Sequence, residues 1–257
     1  SQKHTNNAFD LRITATPHKS DGNSYVIFVA TDISHEKRRN VLERTFFHDI
    51  SNTLCGITGY TDLLHISDTS KQKDLLEKLS KNIARLQEEI NSQKGLISAE
   101  NGDLTVNPQS IRSNDFLREI VDFYSKSSAS SASAQIEIDN SSIDIILASD
   151  KTLLFRVLGN MLKNAIEACQ PNDKVMVGCR LERNNHICFW VHNSQFIPKD
   201  NQLQIFNRSF STKGKGRGIG TYSMKLLGEK YLKGTVAFSS THEQGTIFLV
   251  TLPLMLE

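Results

Sequence analysis

The sequence predicts an α+β protein in which an antiparallel helical hairpin precedes an α/β sandwich. Two observations carry this: apolar residues recur at helical spacings between Leu42 and Leu96, and from Leu104 onward strand-like and helix-like runs alternate. The 257 residues suffice for one large or two ordinary domains, and 38% hydrophobic content supplies a sizeable core. The balance of 30 basic and 28 acidic side chains, net +2, gives no global field favouring nucleic acid or membrane. The four cysteines show no CxxC pair; they read as small core residues in a reducing compartment, and the expectation is a cytoplasmic protein. No run of about 18 apolar residues or signal peptide is present, so no membrane contact is expected for this stretch. The start, lacking an initiating Met, reads as a cut inside a longer protein, whose full length the sequence leaves open to membrane attachment.

Taken in order, Phe9 to Ala15 alternates, Tyr25 to Thr31 is rich in β formers, and Ser20-Asp21-Gly22-Asn23 supplies a turn. Two strands alone are marginal in water, so this hairpin reads as the remnant of a larger sheet domain or as a strand pair with an outside partner. A helix is expected from Asp32-Ile33-Ser34, with an apolar stripe at Leu42, Phe46, Ile50, Leu54, Ile57 and Leu64. After a break at Ser67 to Ser70, a second stripe follows at Leu75, Leu79, Ile83, Leu86, Ile90 and Leu96. One hairpin leaves an apolar face uncovered, which points to a homodimeric four-helix bundle. Asn101-Gly102-Asp103 ends the second helix with Gly at the expected place. Beyond it, strands are expected at Leu104–Val106, Gln135–Ile138, Ile143–Ala148, Lys174–Leu181, His186–His192, Thr235–Ser239 and Thr246–Leu252. Helices are expected at Ser113–Ser125, Gly220–Tyr231 and from Asp150, as N-cap, to Cys169; the Ser/Ala tract Ser125 to Ala134 reads as a loop.

Three segments carry chemistry. In the first, Asn52 follows the His48-Asp49 pair by one helical turn, so His48 and Asn52 share a face, a layout suited to moving a phosphoryl group on and off a histidine. Alone, this pattern reads first as a partly buried structural histidine of a helix. The second is the basic loop Lys213-Gly214-Lys215-Gly216-Arg217-Gly218-Ile219-Gly220, free to take φ > 0 and running into a helix N-terminus that favours anions. It lacks the Rossmann context and the Walker ending. The third is Asn160 and Asn164, two amides four apart whose oxygens suit Mg²⁺.

With these motifs in this order, residues 36–257 resemble the transmitter core of a sensor histidine kinase. The catalytic part resembles the Bergerat ATP-binding fold shared with gyrase, Hsp90 and MutL. Phe206 and Phe210 with Ser211-Thr212-Lys213, and Gly245-Thr246 before the last strand, complete the match. Residues 8–34 resemble the last two strands and exit motif of a PAS domain. The resemblance implies a PAS-like remnant at 1–34, a dimerisation and phosphotransfer hairpin at 35–102, and an ATP-binding domain at 103–257. It further implies autophosphorylation on His48 with ATP and Mg²⁺, and phosphotransfer to an aspartate of a response-regulator receiver domain. Asp49 would accept a hydrogen bond from one ring nitrogen of His48, and Asn52 would orient a water for dephosphorylating the partner. Asn164 would bind Mg²⁺ with Asn160 near the phosphates; Lys213, Gly214, Gly216, Arg217, Gly218 and Gly220 would hold the phosphate chain, Thr246 would bind nucleotide, and Glu167 lies near the metal region.

The family's Asp-x-Gly-x-Gly, whose Asp reads adenine, is here His192-Asn193-Ser194-Gln195-Phe196. If the loop is one residue shorter, Asn193 takes the Asp position; if none is missing, His192 does. We favour Asn193, a neutral reader that should hold adenine less strongly than a carboxylate. Thr53 stands where many relatives have Pro. The competing reading is a degenerate kinase that acts as a phosphotransfer or scaffold protein with weak or no ATP binding. A gyrase-like or Hsp90-like ATP clamp fits less well, because it predicts no phosphoacceptor hairpin.

Overall fold

The computed structural model describes residues 10–21, 23–66, 68–128, 135–170, 172–207 and 220–256. It divides into two compact units, residues 1–86 and 87–257.

In the first unit, β1 (Leu11–Ser20) and β2 (Asn23–Asp32) form an antiparallel hairpin. The strands are longer than the sequence pattern marks. Directly opposed residues share a face, so Ile13 and Phe28 lie on one side, Tyr25 and Ile27 on the other, and all four are exposed. Helix α1 (Ser34–Ile66) follows without a break, and α2 (Thr69–Asn101) begins within the expected polar interruption. Of the expected α2 stripe, Leu75, Leu79 and Leu86 are half-buried. Leu76, Ile83, Ile90 and Ile97 recur every seven residues and are each 41–51% exposed, whereas Leu96 is buried. One apolar position every seven residues is half of a helical-bundle seam, which repeats two. The chain leaves α2 through Gly102 at φ 85°, with the Asp103 N–H donating to the Ser98 carbonyl, a Schellman ending.

The second unit contains a five-stranded sheet with β4 (Gln135–Ile138), β6 (Lys174–Glu182), β7 (His186–Asn193), β8 (Thr235–Thr241) and β9 (Gly245–Pro253). Their order is β4-β6-β7-β9-β8. Only β4 and β6 run parallel, and parallel neighbours need a crossover, which α4 (Lys151–Ala168) helps to make. A second, two-stranded sheet joins β3 (Gln109–Arg112) to β5 (Ile146–Ser149). β3 replaces the strand expected at Leu104–Val106, which is irregular, and β5 starts three residues later than expected.

Period-two alternation puts Val175, Val177, Ile187, Phe189, Val191, Val250 and Leu252 on the inner face, all at most 1% exposed. Against them pack Leu117 and Ile120 of α3 (Ser113–Ser128), Leu154, Leu158, Met161 and Leu162 of α4, and Met224 of α6 (Gly220–Leu226). After the short helix α5 (Lys199–Gln202) and α6, the expected single helix to Tyr231 changes winding, and Leu227–Tyr231 form a π-helical turn. Of the four cysteines, Cys179 and Cys188 are core residues as expected, Cys169 is half-buried, and Cys55 is exposed; all four are free.

Candidate functional site

α4 is fixed at its start by Asp150. One carboxylate oxygen caps the Leu153 N–H at 2.9 Å, and the other accepts from the Asn107 N–H at 2.8 Å. This is the expected N-cap, with a second strap to the incoming chain that the sequence does not show. With its apolar face on the sheet, α4 turns Arg156, Asn160 and Asn164, spaced four apart, along another line of the helix.

The structure brings Asn160, Asn164 and Gly220 together across 56 to 60 residues of sequence. A methyl group at Gly220 would lie 3.5 Å from Asn160 Oδ1 and 4.0 Å from Asn164 Oδ1, so both amide oxygens converge on the start of α6. Asn164 Nδ2 is buried with no hydrogen-bond partner among the described residues. Such an unmet donor is what an incoming acceptor, such as a phosphate oxygen, satisfies. Glu167 is exposed. The remaining predicted loop residues, Lys213, Gly214, Gly216, Arg217 and Gly218, lie outside the described residues, as does Phe210. Phe206 is described. Its ring meets Phe238 and Phe248 at centroid distances of 5.6 and 6.5 Å, and Lys225 Nζ lies 5.2 Å from its centre.

The second predicted group gathers at the ends of β7 and β9. Asn193 pairs with Val175 on β6 and with Thr246 on β9, and is 4% exposed. Its side chain hydrogen-bonds the Cys169 thiol, a partner that the sequence does not single out. Burial, chiefly, and the Asp173 carboxylate push that thiol's pKa up, against the lowering effect of the Asn193 bond. Asp173 itself is held below the usual carboxylate range by the Gln170 backbone N–H first, then by the Gln195 amide at 2.9 Å. Thr246 sits elsewhere in this network than a nucleotide contact alone implies. Its hydroxyl donates to the Gln195 carbonyl at 2.7 Å and lies 2.7 Å from Ser240 Oγ, which accepts from the Ile197 N–H. Thr246 therefore ties down the loop after Asn193. Gly245 has φ 71°, and a Cβ there would come within 2.2 Å of the Asn193 carbonyl, so only glycine fits. His192, the alternative adenine reader, bonds the Gln244 carbonyl through Nε2 at 2.7 Å.

His48 and Asp49 lie within the helical backbone of α1, and Asn52, one turn on, is exposed. Among the described residues, no three His, Cys, Asp or Glu side chains cluster as metal ligands. The oxygen donors that suit a hard cation are the amides of Asn160 and Asn164, and they fit Mg²⁺ by chemistry. No described helix is long and apolar enough to cross a membrane.

Residues 149–256 match the family described as histidine kinase-, DNA gyrase B-, and HSP90-like ATPase. The chain is 24% identical over 217 residues to the sensor histidine kinase CusS of Escherichia coli O157:H7, covering 80% of this chain and 43% of that protein. It is 27% identical over 222 residues to the sensor histidine kinase YcbM of Bacillus subtilis (strain 168), covering 81% of this chain and 69% of that one. In structure it is similar to the histidine kinase ThkA solved in complex with response regulator protein TrrA. The TM-score is 0.55 at 19% identity, covering 98% of this chain and 77% of that one, a likeness of fold. The chain thus spans less than half the length of CusS. The sandwich with its paired-amide helix is a histidine kinase-like ATPase domain. Together with the helices that precede it, the domain is similar to histidine kinase transmitter cores.

Proposed function

We propose that this chain autophosphorylates His48 from ATP and passes the phosphoryl group to an aspartate of a response-regulator receiver domain. The observation that carries the reading is the convergence of the Asn160 and Asn164 oxygens on the N-terminus of α6. A domain relieved of nucleotide binding has no need to hold two amides there with a buried donor unmet, which favours an active kinase over a degenerate one.

In this reading a ring nitrogen of His48 attacks the γ-phosphorus. An N–P bond forms, the bond between the γ-phosphorus and the β–γ bridging oxygen breaks, and ADP leaves. Asp49 accepts the hydrogen bond of the other ring nitrogen and so fixes the tautomer that attacks. Asn160 and Asn164 would position the phosphates, and Asn164 would hold Mg²⁺, which would supply charge neutralisation there. The positive end of α6 at Gly220 favours the same anion. The neutral Asn193 amide reads the adenine amino group, on a strand end that Thr246 and Gly245 keep in place. Asn52 orients water when the partner is dephosphorylated. The exposed seven-residue repeat from Leu76 to Ile97 supports a homodimer through the helices. The apolar residues exposed on both faces of the β1–β2 hairpin support its origin in a larger PAS-like sheet.

Incubation with Mg²⁺ and γ-labelled ATP tests the reading. Acid-labile, base-stable label that is lost in His48→Gln is expected. Label persisting in that variant, or no label with no nucleotide binding, contradicts it.

A further inference from the structure

The face of the five-stranded sheet turned away from the helices carries a cleft of about 330 Å³. Alternation along the strands places its lining. Val175, Val191 and Asn193 point to the helix side, so Met176, Trp190 and His192 point to the other. Met176, His192 and Ile247 form one row across β6, β7 and β9, and Trp190 stands in the next row, opposite Gly178. A Cβ at Gly178 would lie 2.6 Å from Trp190 Cζ2, so the indole rests over bare backbone of β6. Asp139, just past the end of β4, closes that side. Its N–H donates to the Val177 carbonyl at 2.8 Å, which sets it beside Gly178. Its carboxylate accepts from the Ser141 hydroxyl at 2.5 Å and the Ser141 N–H at 3.1 Å, and these bonds hold its pKa below the usual carboxylate range. Among the described residues no cation pairs with it. Arg180, also in the cleft wall, already gives its Nε–H to Glu182 at 2.8 Å.

This lining selects among ligands. An indole face attracts a cation, and so does a carboxylate beside it that lacks a cationic partner; Met176 and Ile247 add apolar walls for alkyl groups. An anionic ligand would meet Asp139 as a like charge. A neutral apolar one would strip water from that carboxylate and put nothing in its place. We propose that the cleft binds a small organic ammonium ion, its head between the Trp190 indole and the Asp139 carboxylate and its alkyl groups against Met176 and Ile247. The site goes beyond the kinase reading and does not depend on it. His192 and Ile247 adjoin Asn193 and Thr246 in sequence, but the cleft opens on the opposite face of the sheet from Asn193.

Trp190 is the chain's only tryptophan, so its fluorescence reports on the cleft directly. The full chain is titrated at constant ionic strength with choline, with 3,3-dimethylbutan-1-ol, which has carbon in place of the charged nitrogen, and with butyrate. The same additions to N-acetyltryptophanamide correct for quenching in free solution. A saturable change with a Kd below about 10 mM is expected for choline, and binding of the neutral alcohol at least about tenfold weaker. Asp139→Asn keeps an oxygen for Ser141 and removes the charge, so choline should bind it at least about tenfold more weakly, with an unchanged far-UV circular dichroism spectrum. The comparison with the alcohol is made on the unaltered chain and tests the charge even where that variant does not fold. No saturable change with choline overturns the proposal, as does equal affinity for the alcohol or for folded Asp139→Asn. Tighter binding of butyrate also overturns it, because Arg180 would then be the recognising group.

Discussion

Replacing Asp150 by Ala should loosen the helix on which the nucleotide amides stand, and the structure gives the size of the effect. Two hydrogen bonds end on this carboxylate, which is 5% exposed. The first caps Leu153, whose N–H has no carbonyl one turn back; losing such a cap costs about 1 kcal/mol. The second satisfies Asn107, and leaving that N–H without its acceptor costs roughly 1–3 kcal/mol. The sum is about 2–4 kcal/mol, which for a unit of this size lowers Tm by roughly 4–16 °C. Asp150→Asn separates the two bonds. Its one oxygen can keep the cap, while its NH₂ faces the Asn107 N–H as donor to donor, so the loss expected is that of the Asn107 bond, roughly 1–3 kcal/mol. Urea unfolding of the chain and both variants, followed by far-UV circular dichroism, measures this. A change below about 0.5 kcal/mol for Asp150→Ala would refute the reasoning, because a surface site behaves that way.

Gly245→Ala should cost at least about 2–3 kcal/mol, from φ 71° and from its Cβ meeting the Asn193 carbonyl. An unchanged urea midpoint would show that the loop after β7 adapts freely. On the exposed repeat of α2, Ile83→Asp should turn the proposed dimer into a monomer in sedimentation equilibrium, and a persisting dimer would place the interface elsewhere. The lowered pKa of Asp173 sets a pH dependence. A folded-state value below the unfolded one contributes stability that is complete above the unfolded value and lost as pH falls through the folded one. The stability difference between the chain and Asp173→Asn should therefore hold at pH 7 and shrink below about pH 4. A difference that grows on acidification would contradict the hydrogen-bonding assigned to Asp173.

Most elements were legible because their signals are local. Asp150 announces its helix by type and position, Gly102 ends α2 by its tolerance of positive φ, and alternation marks β6, β7 and β9. β3 was missed because Gln109-Ser110-Ile111-Arg112 buries only Ile111 in the core, so its single apolar contact makes no pattern. The change to π winding at Leu227 left no trace in composition. In the candidate site, Asn160, Asn164 and Gly220 could be named from motif and spacing, and their meeting is a matter of packing that the structure supplies. Cys169 and Asp173 escaped because nothing in their own neighbourhood marks them. They matter through Asn193 and Gln195, twenty-odd residues away. Asp139 and Trp190 come from separate stretches of the chain and line one cleft only in the folded unit.

The claim on which the account rests is that the two amides of α4 form a working nucleotide site despite the neutral Asn193. Calorimetric titration of ATP, with and without Mg²⁺, into the chain and into Asn164→Ala tests it most directly. The account predicts saturable binding that Mg²⁺ strengthens, and at least about tenfold weaker binding in Asn164→Ala with that strengthening lost. Equal affinity in the two proteins, or no binding to either, would contradict it.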